Sequence, residues 1–265
     1  MAKVSIIILQ YNQSDRTLAC LSAILTGGSA SPGGGESHDV SVIVVDNASE
    51  VRHLKNVEYW IETNKASSFQ LLASSENLGY SGGNNLGIKK ALERGADAVL
   101  ILNNDVILRE MPVGDADIVG LECGNVFGFD YLSGAGLLVK REVFEKIGLF
   151  DERYFLYYED VDFCMRARKA GFKLATATTK FHHAVSATTS SLGSANLLYY
   201  HTRNALLLNA THGPWYVRLA LPFWASWITL KQHVKIALGR DVEISKAILQ
   251  GVYDYDHHRF GMRIQ

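Results

Sequence analysis

The chain has 265 residues, 48% hydrophobic and 20% charged, which is enough apolar surface for one large α/β domain or two small ones and excludes a disordered protein. A formal net charge of −1 gives no bulk electrostatic reason to bind nucleic acid. Cys20, Cys123 and Cys164 are widely spaced and odd in number, so they make no zinc pattern and fit a reducing, cytosolic setting better than a disulfide framework.

"VSIIIL" (4–9) is a continuous β-branched run, expected as a strand covered on both faces and too short for a leader core or a membrane span. A helix follows over 14–25, with Leu18, Leu21, Ile24 and Leu25 on one face and Ser14 as its cap. "GGSASPGGGESHD" reads as a surface loop. "VSVIVVD" (40–46) is a second buried strand and "FQLLASSEN" gives a third. A helix over 82–94 is closed by Gly95, and "AVLILNND" is the fourth strand. This alternation predicts βαβ units and a mostly parallel sheet. Later, "EDVDFCMRARKAG" predicts a helix starting near Glu159 and closed by Gly171. Beyond Ser194 the chain is expected to be helical, interrupted at Pro214 and Pro222.

Open parallel sheets bind ligands at the carboxyl ends of their strands. Four polar clusters fall at such ends: Tyr11 and Asn12; Asp46 and Asn47; "ENLGYSGGNN" (76–85); and Asn103, Asn104 and Asp105. Each taken alone fits an ordinary polar turn. The glycines Gly79, Gly82 and Gly83, with Asn84, lead into a helix, where backbone N–H groups can approach a phosphate or ribose. Asp105 is a hard oxygen donor suited to Mg2+ or Mn2+, ions that take one or two carboxylates and complete their shell with diphosphate and water. Glu159, Asp160 and Asp162 at a helix start fit either dipole compensation or a general base. His182 and His183 are surface histidines or a metal-bound imidazole.

In this order, "VSIIILQYN", "VIVVDNAS", "ENLGYSGGNNLGI", "LILNNDV", "SGAGLLVKREVFEKIGLFDERYFLYYEDVDFCMRARKAGF", "HHAVSATTS" and "YYHTRNALL" resemble family 2 glycosyltransferases, inverting enzymes of GT-A fold, and bacterial rhamnosyltransferase-like members among them. The resemblance implies a Rossmann-like, mostly parallel sheet flanked by helices. It implies a catalytic domain over 1–210, with a nucleotide half to about residue 105 and an acceptor half from 106, and a C-terminal helical annex over 211–265. By the same resemblance Tyr11, Asn12, Asp46, Asn77, Gly79, Gly82, Asn84, Asn103 and Asn104 surround the nucleotide-sugar. Asp105 binds the metal and diphosphate, with Asn103 standing where the family carries a first Asp. Asp160 is the base beside Glu159, and His183, or alternatively His182, is a further metal ligand. The implied donor is dTDP-L-rhamnose, otherwise a UDP-sugar, and the implied acceptor is a hydroxyl of a glycan or lipid-linked saccharide.

Two other classes compete. A nucleotide-sugar-binding protein with a degenerate site is suggested by Asn103. A nucleotidyltransferase would carry a basic glycine-rich loop after the first strand, where this chain has "QYNQSD". "WYVRLALPFWASWITL" (215–230) falls short of the ~20 apolar residues a span needs. A peripheral contact with the cytoplasmic membrane face is expected there, with packing on the catalytic domain or a homodimer contact as alternatives.

Overall fold

The computed structural model describes residues 2–27, 38–65, 67–108, 110–179, 181–183 and 193–264. Seven strands form the central sheet: β1 (Ala2–Gln10), β2 (His38–Asp46), β3 (Phe69–Ala73), β4 (Ala98–Asn103), β6 (Ile118–Gly120), β9 (Gly136–Lys140) and β10 (Leu174–Thr176), in the spatial order β10-β6-β9-β4-β1-β2-β3. β9 runs antiparallel to both of its neighbours, and the other pairs are parallel. The fold is therefore α/β with a mostly parallel central sheet, as the strand–helix rhythm predicts.

The unbroken apolar runs follow from burial of both sheet faces. Ile6 and Ile8 of β1, with Val42, Val44, Leu100 and Leu102, pack on α1 (Ser14–Thr26) and α2 (Val51–Thr63) through Cys20, Leu21, Ile24 and Val57. Ile7, Ile43, Val45, Val99 and Ile101 point the other way. They meet α3 (Gly79–Glu93), α4 (Arg141–Ile147) and α5 (Glu159–Lys169) through Ile88, Ala91, Phe144, Phe163 and Ala167. Two short pairs lie outside the sheet: β5 (Val106–Leu108) with β11 (Phe181–His183), and the hairpin β7 (Cys123–Val126) with β8 (Phe129–Leu132). The C-terminal region is helical: α6 (Gly193–His212), α7 (Trp215–Ala237) and α8 (Val242–Asp256).

Three local expectations are corrected. Ser14 does not cap α1; Gln13 occupies that position without a side-chain cap bond, and the Ser14 hydroxyl lies 2.9 Å from His53 Nδ1 on α2. α3 starts at Gly79 rather than Gly82. Gly79 has φ +72, and a Cβ there would strike the carbonyl and ring of Phe155. α7 runs unbroken through Pro222: the carbonyl that loses its partner belongs to the exposed Arg218, and packing of Leu221 and Ala225 on Leu206 and Val252 offsets the remaining cost. Pro214, by contrast, does separate α6 from α7.

Candidate active site

The carboxyl edge of the sheet gathers the polar clusters. Asp46, 1% exposed, accepts hydrogen bonds from Gln10 Nε2 at 2.7 Å and from the Ser49 N–H at 2.9 Å. Gln10 Oε1 accepts from the Thr17 hydroxyl at 3.1 Å, and that oxygen accepts from Asn104 Nδ2 at 3.1 Å. This buried chain ties β1, α1 and the end of β4 together behind the site, so Asn104 and Asp46 hold fixed positions. Asn12 has φ 52; its N–H donates to Ser49 Oγ at 3.0 Å, and its Oδ1 accepts from the Glu50 N–H at 2.7 Å. Beside it, Tyr11 is 48% exposed, leaving its ring open to a ligand.

Asn47 closes the next turn. Its Nδ2 donates to Asn77 Oδ1 and to the Gly79 carbonyl, both at 3.0 Å, and its Oδ1 accepts from the Leu78 N–H at 2.9 Å. Asn77 Oδ1 also accepts from the Gly79 N–H at 2.9 Å. Gly82 sits tight against Leu78, and Gly83 and Gly87 let α3 press on Leu9 and Ile7 of β1. The glycines thus have packing roles in the first turns of α3. Asn84 is 1% exposed and donates to the Tyr80 carbonyl at 2.9 Å; its Oδ1 has no hydrogen-bond partner among the described residues.

Asn103 ends β4, with its N–H bonded to the Ala135 carbonyl at 2.9 Å. Asp105 follows in the turn to β5, 6% exposed, with Oδ2 3.8 Å from Arg16 Nη1. β11 pairs antiparallel with β5 so that His183 lies opposite Val106, the residue after Asp105, and His182 lies opposite Ile107. The backbone register brings His183 one step nearer to Asp105 than His182. The side chains of both histidines, and the "AVSATTS" stretch after them, lie outside the described residues.

The acidic pair enters on a strained stretch of chain. Phe155, Tyr157 and Tyr158 have φ of 59, 68 and 73, which non-glycine residues adopt only at a cost in energy. α6 holds them. Asn204 Nδ2 shares its two hydrogens among the carbonyls of Tyr154 at 2.8 Å, Leu156 at 2.8 Å and Tyr157 at 2.9 Å. Arg203, fully buried, donates to the carbonyls of Arg153, Tyr154 and Gly261.

Glu159 and Asp160 then meet different surroundings. Asp160 accepts from the N–H groups of Gly134 at 3.1 Å and Val161 at 2.8 Å, which favours its anion. Burial still moves its carboxyl above the ordinary aspartate range. Glu159 is 5% exposed, and its Oε2 has no hydrogen-bond partner among the described residues. Burial first, and the neighbouring Asp160 charge second, push its carboxyl well above the usual range. Of the two, Asp160 is the better placed to be the anion. Asp162 is committed elsewhere, bonded to His212 Nε2 and Arg166 Nε, each at 2.7 Å.

Tyr80 links these parts. Its hydroxyl donates to the Gly134 carbonyl. Its phenol is pushed well above its ordinary value, chiefly by burial and then by Glu159, Asp160 and Asp105. The ring is partly buried, packed against Phe150. Sequence reasoning missed Tyr80, Gln10, Thr17, Arg16, Arg203 and Asn204. "YYHTRNALL" marked the last two only as part of a resemblance.

Comparison with known proteins bears on the family and the fold. A family model described as "Glycosyl transferase family 2" matches residues 5–113, and "Glycosyltransferase like family 2" matches residues 117–204. The chain belongs to glycosyltransferase family 2, a class of sugar-transferring enzymes. It is 28% identical over 196 residues to the low-salt glycan biosynthesis hexosyltransferase Agl10 of Haloferax volcanii, covering 51% of this chain and 64% of that protein. It is 36% identical over 87 residues to an N-acetylglucosaminyl-diphospho-decaprenol L-rhamnosyltransferase of Mycobacterium tuberculosis, covering 32% of this chain and 28% of that one. The matches thus span less than two thirds of these relatives. In fold, the chain is similar to the mannosyltransferase PcManGT of Pyrobaculum calidifontis, solved with GDP-Man and Mn2+, with a TM-score of 0.62 at 15% identity over 97% of this chain and 87% of that one.

Proposed function

We propose that the protein is an inverting glycosyltransferase that moves a sugar, with dTDP-L-rhamnose as the preferred donor, onto a hydroxyl of a glycan or lipid-linked saccharide at the cytoplasmic membrane face. The observation that carries this reading is the pairing of an Asp160 bonded to the Gly134 and Val161 N–H groups with a buried Glu159, on the same sheet edge as the buried Asp105. The L-rhamnosyl relative supports the choice of sugar.

The donor set fits a divalent ion bound together with diphosphate. It offers one buried carboxylate, Asp105, and a histidine position one register step away at His183. Among the described residues no cluster of three His, Cys, Asp or Glu holds a metal alone, so the remaining ligands come from diphosphate and water. When bound, Mn2+ or Mg2+ supplies positive charge to the departing nucleoside diphosphate.

Tyr11, Asn12 and Asp46 face the base and ribose, while Asn77, Gly79, Gly82, Asn84, Asn103 and Asn104 line the rest of the donor site. Asp160 accepts the proton of the acceptor hydroxyl, whose oxygen attacks the anomeric carbon from the face opposite the diphosphate. The bond to the diphosphate oxygen breaks as the new glycosidic bond forms, and the centre inverts. Burial and the neighbouring Asp160 charge disfavour the Glu159 anion, which leaves Asp160, with its two N–H donors, as the favoured proton acceptor.

A thermal-shift panel of nucleotide-sugars with and without Mn2+, followed by NMR of the product's anomeric configuration, tests this. Stabilisation by dTDP-L-rhamnose and an inverted product are expected. No shift with any nucleotide-sugar, or a retained anomeric centre, overturns it.

A further inference from the structure

We propose that the outer face of α7, with Phe127 at the tip of the β7–β8 hairpin, seats this protein on an anionic lipid surface. The inference stands apart from the sugar chemistry and does not rest on it.

Trp215, Leu219, Phe223, Trp227, Leu230 and Val234 recur at intervals of three or four residues, so they share one side of the helix. They are 69%, 67%, 79%, 63%, 57% and 50% exposed. The opposite side is already satisfied: Leu221 and Ala225 pack against Leu206 of α6 and Val252 of α8, and Gln232 accepts from the Ser245 hydroxyl at 3.0 Å. These contacts fix the rotation of the helix and turn the apolar side outward. Single exposed apolar residues are ordinary, but six on one side of a helix, broken by Ser226 and His233, are not.

The charges choose the occupant. α7 carries Arg218, Lys231 and Lys235 and no Asp or Glu; Lys235 pairs with Asp241 at 3.1 Å, which leaves Arg218 and Lys231 to meet headgroups. At helical spacing Arg218 falls on one flank of the stripe and Lys231 on the other, the pattern of a helix lying in a headgroup layer. Two copies meeting through this face would bring like charges together, which disfavours a second copy. No described helix is long and apolar enough to cross a membrane, so the helix lies along the surface. Phe127, 70% exposed with φ 51, extends the patch; with Tyr216, Ala220 and Trp224 it lines a groove of about 260 Å³. The same hairpin leads through Leu132 to Gly134, whose N–H holds Asp160, so the apolar surface and the base share one connection.

Flotation of the full chain with phosphatidylcholine vesicles, with and without phosphatidylglycerol, tests the proposal. Wild type is expected to float only with phosphatidylglycerol and to release in high salt. Leu219→Glu/Phe223→Glu/Trp227→Glu is expected to stay at the bottom with unchanged circular dichroism, since all three side chains are exposed. Arg218→Gln and Lys231→Gln should each weaken partitioning about fivefold. Should the triple variant lose its fold, quenching of the wild-type tryptophans by brominated lipid decides, and absence of quenching overturns the proposal. It is also overturned if wild type stays at the bottom with anionic vesicles, if the folded triple variant floats, or if sedimentation shows a wild-type dimer that the variant breaks and no vesicle binding.

Discussion

The side-chain amide of Asn204 lies 2.9 Å from the carbonyl of Tyr157, one residue before the left-handed Tyr158 that hands the chain to Glu159. A residue on α6 thereby sets where the acidic pair of α5 begins. Asn204→Asp keeps the shape and replaces a donor by an acceptor facing three carbonyls. The Tyr154 carbonyl keeps Arg203 and the Leu156 N–H, so the Leu156 and Tyr157 carbonyls lose most; an unpaired buried carbonyl costs about 1–3 kcal/mol, without strict additivity. A fall in stability of at least ~2 kcal/mol in urea melts is expected, with a drop in kcat and an unchanged KM for the donor. A variant with wild-type stability and turnover would remove Asn204 from this role.

Asp160→Asn is expected to cut kcat by roughly 10²- to 10⁴-fold, the usual worth of general-base assistance, while donor affinity persists. The wild-type pH profile should agree. Because burial raises the Asp160 carboxyl, the base is ionised only above the ordinary aspartate value of about 3.9, and turnover should fall with acid through a midpoint above it. A midpoint at or below the ordinary value argues for another base.

Glu159 gives a prediction about stability. Its carboxyl is raised in the folded state, so the folded chain binds more protons than the unfolded one between the ordinary glutamate value of about 4.3 and the raised one. Stability therefore falls as pH rises through that window. Glu159→Gln should raise the melting temperature at neutral pH and flatten its slope in that window. Calorimetry across the window checks this; a less stable variant would mean that the Glu159 anion is needed by the fold.

Asp105→Asn keeps the volume beside Arg16 and removes the charge. Titration calorimetry with a nucleoside diphosphate should show wild-type binding strengthened by Mn2+ and variant binding weakened by at least ~10-fold in its presence. Equal affinities with and without Mn2+ in the wild type would end the metal role.

The strands were legible because a sheet covered on both faces writes itself as unbroken β-branched runs, as in "VSIIIL" and "VSVIVVD". Helix ends were less so. Ser14 has the chemistry of a cap, yet the hydroxyl is taken by His53, a residue 39 positions away. Pro222 has the chemistry of a break, yet tertiary contacts on the far side of α7 carry the helix past it. The strand-end clusters were visible as polar residues after apolar ones. Their partners were not, since Gln10 for Asp46 and the Tyr154, Leu156 and Tyr157 carbonyls for Asn204 are fixed only by long-range packing. Neighbours in sequence, Glu159 and Asp160, are told apart only by which one finds N–H groups.

The reversed strand β9 has a consequence for how such a chain can vary. A strand running against its neighbours begins at the edge where they end, so the segment 121–135 departs from β6 and re-enters at β9 on one rim of the sheet. Both ends are pinned there, by the Leu121 N–H on the Gly136 carbonyl and the Asn103 N–H on the Ala135 carbonyl. Leu132 and Gly134 tie the base of the insert to α5, but the tip of the β7–β8 hairpin can lengthen, shorten or change while strand pairing stays in place. Change at that tip can therefore accumulate while the parallel strands β1, β2, β3 and β4 keep their register.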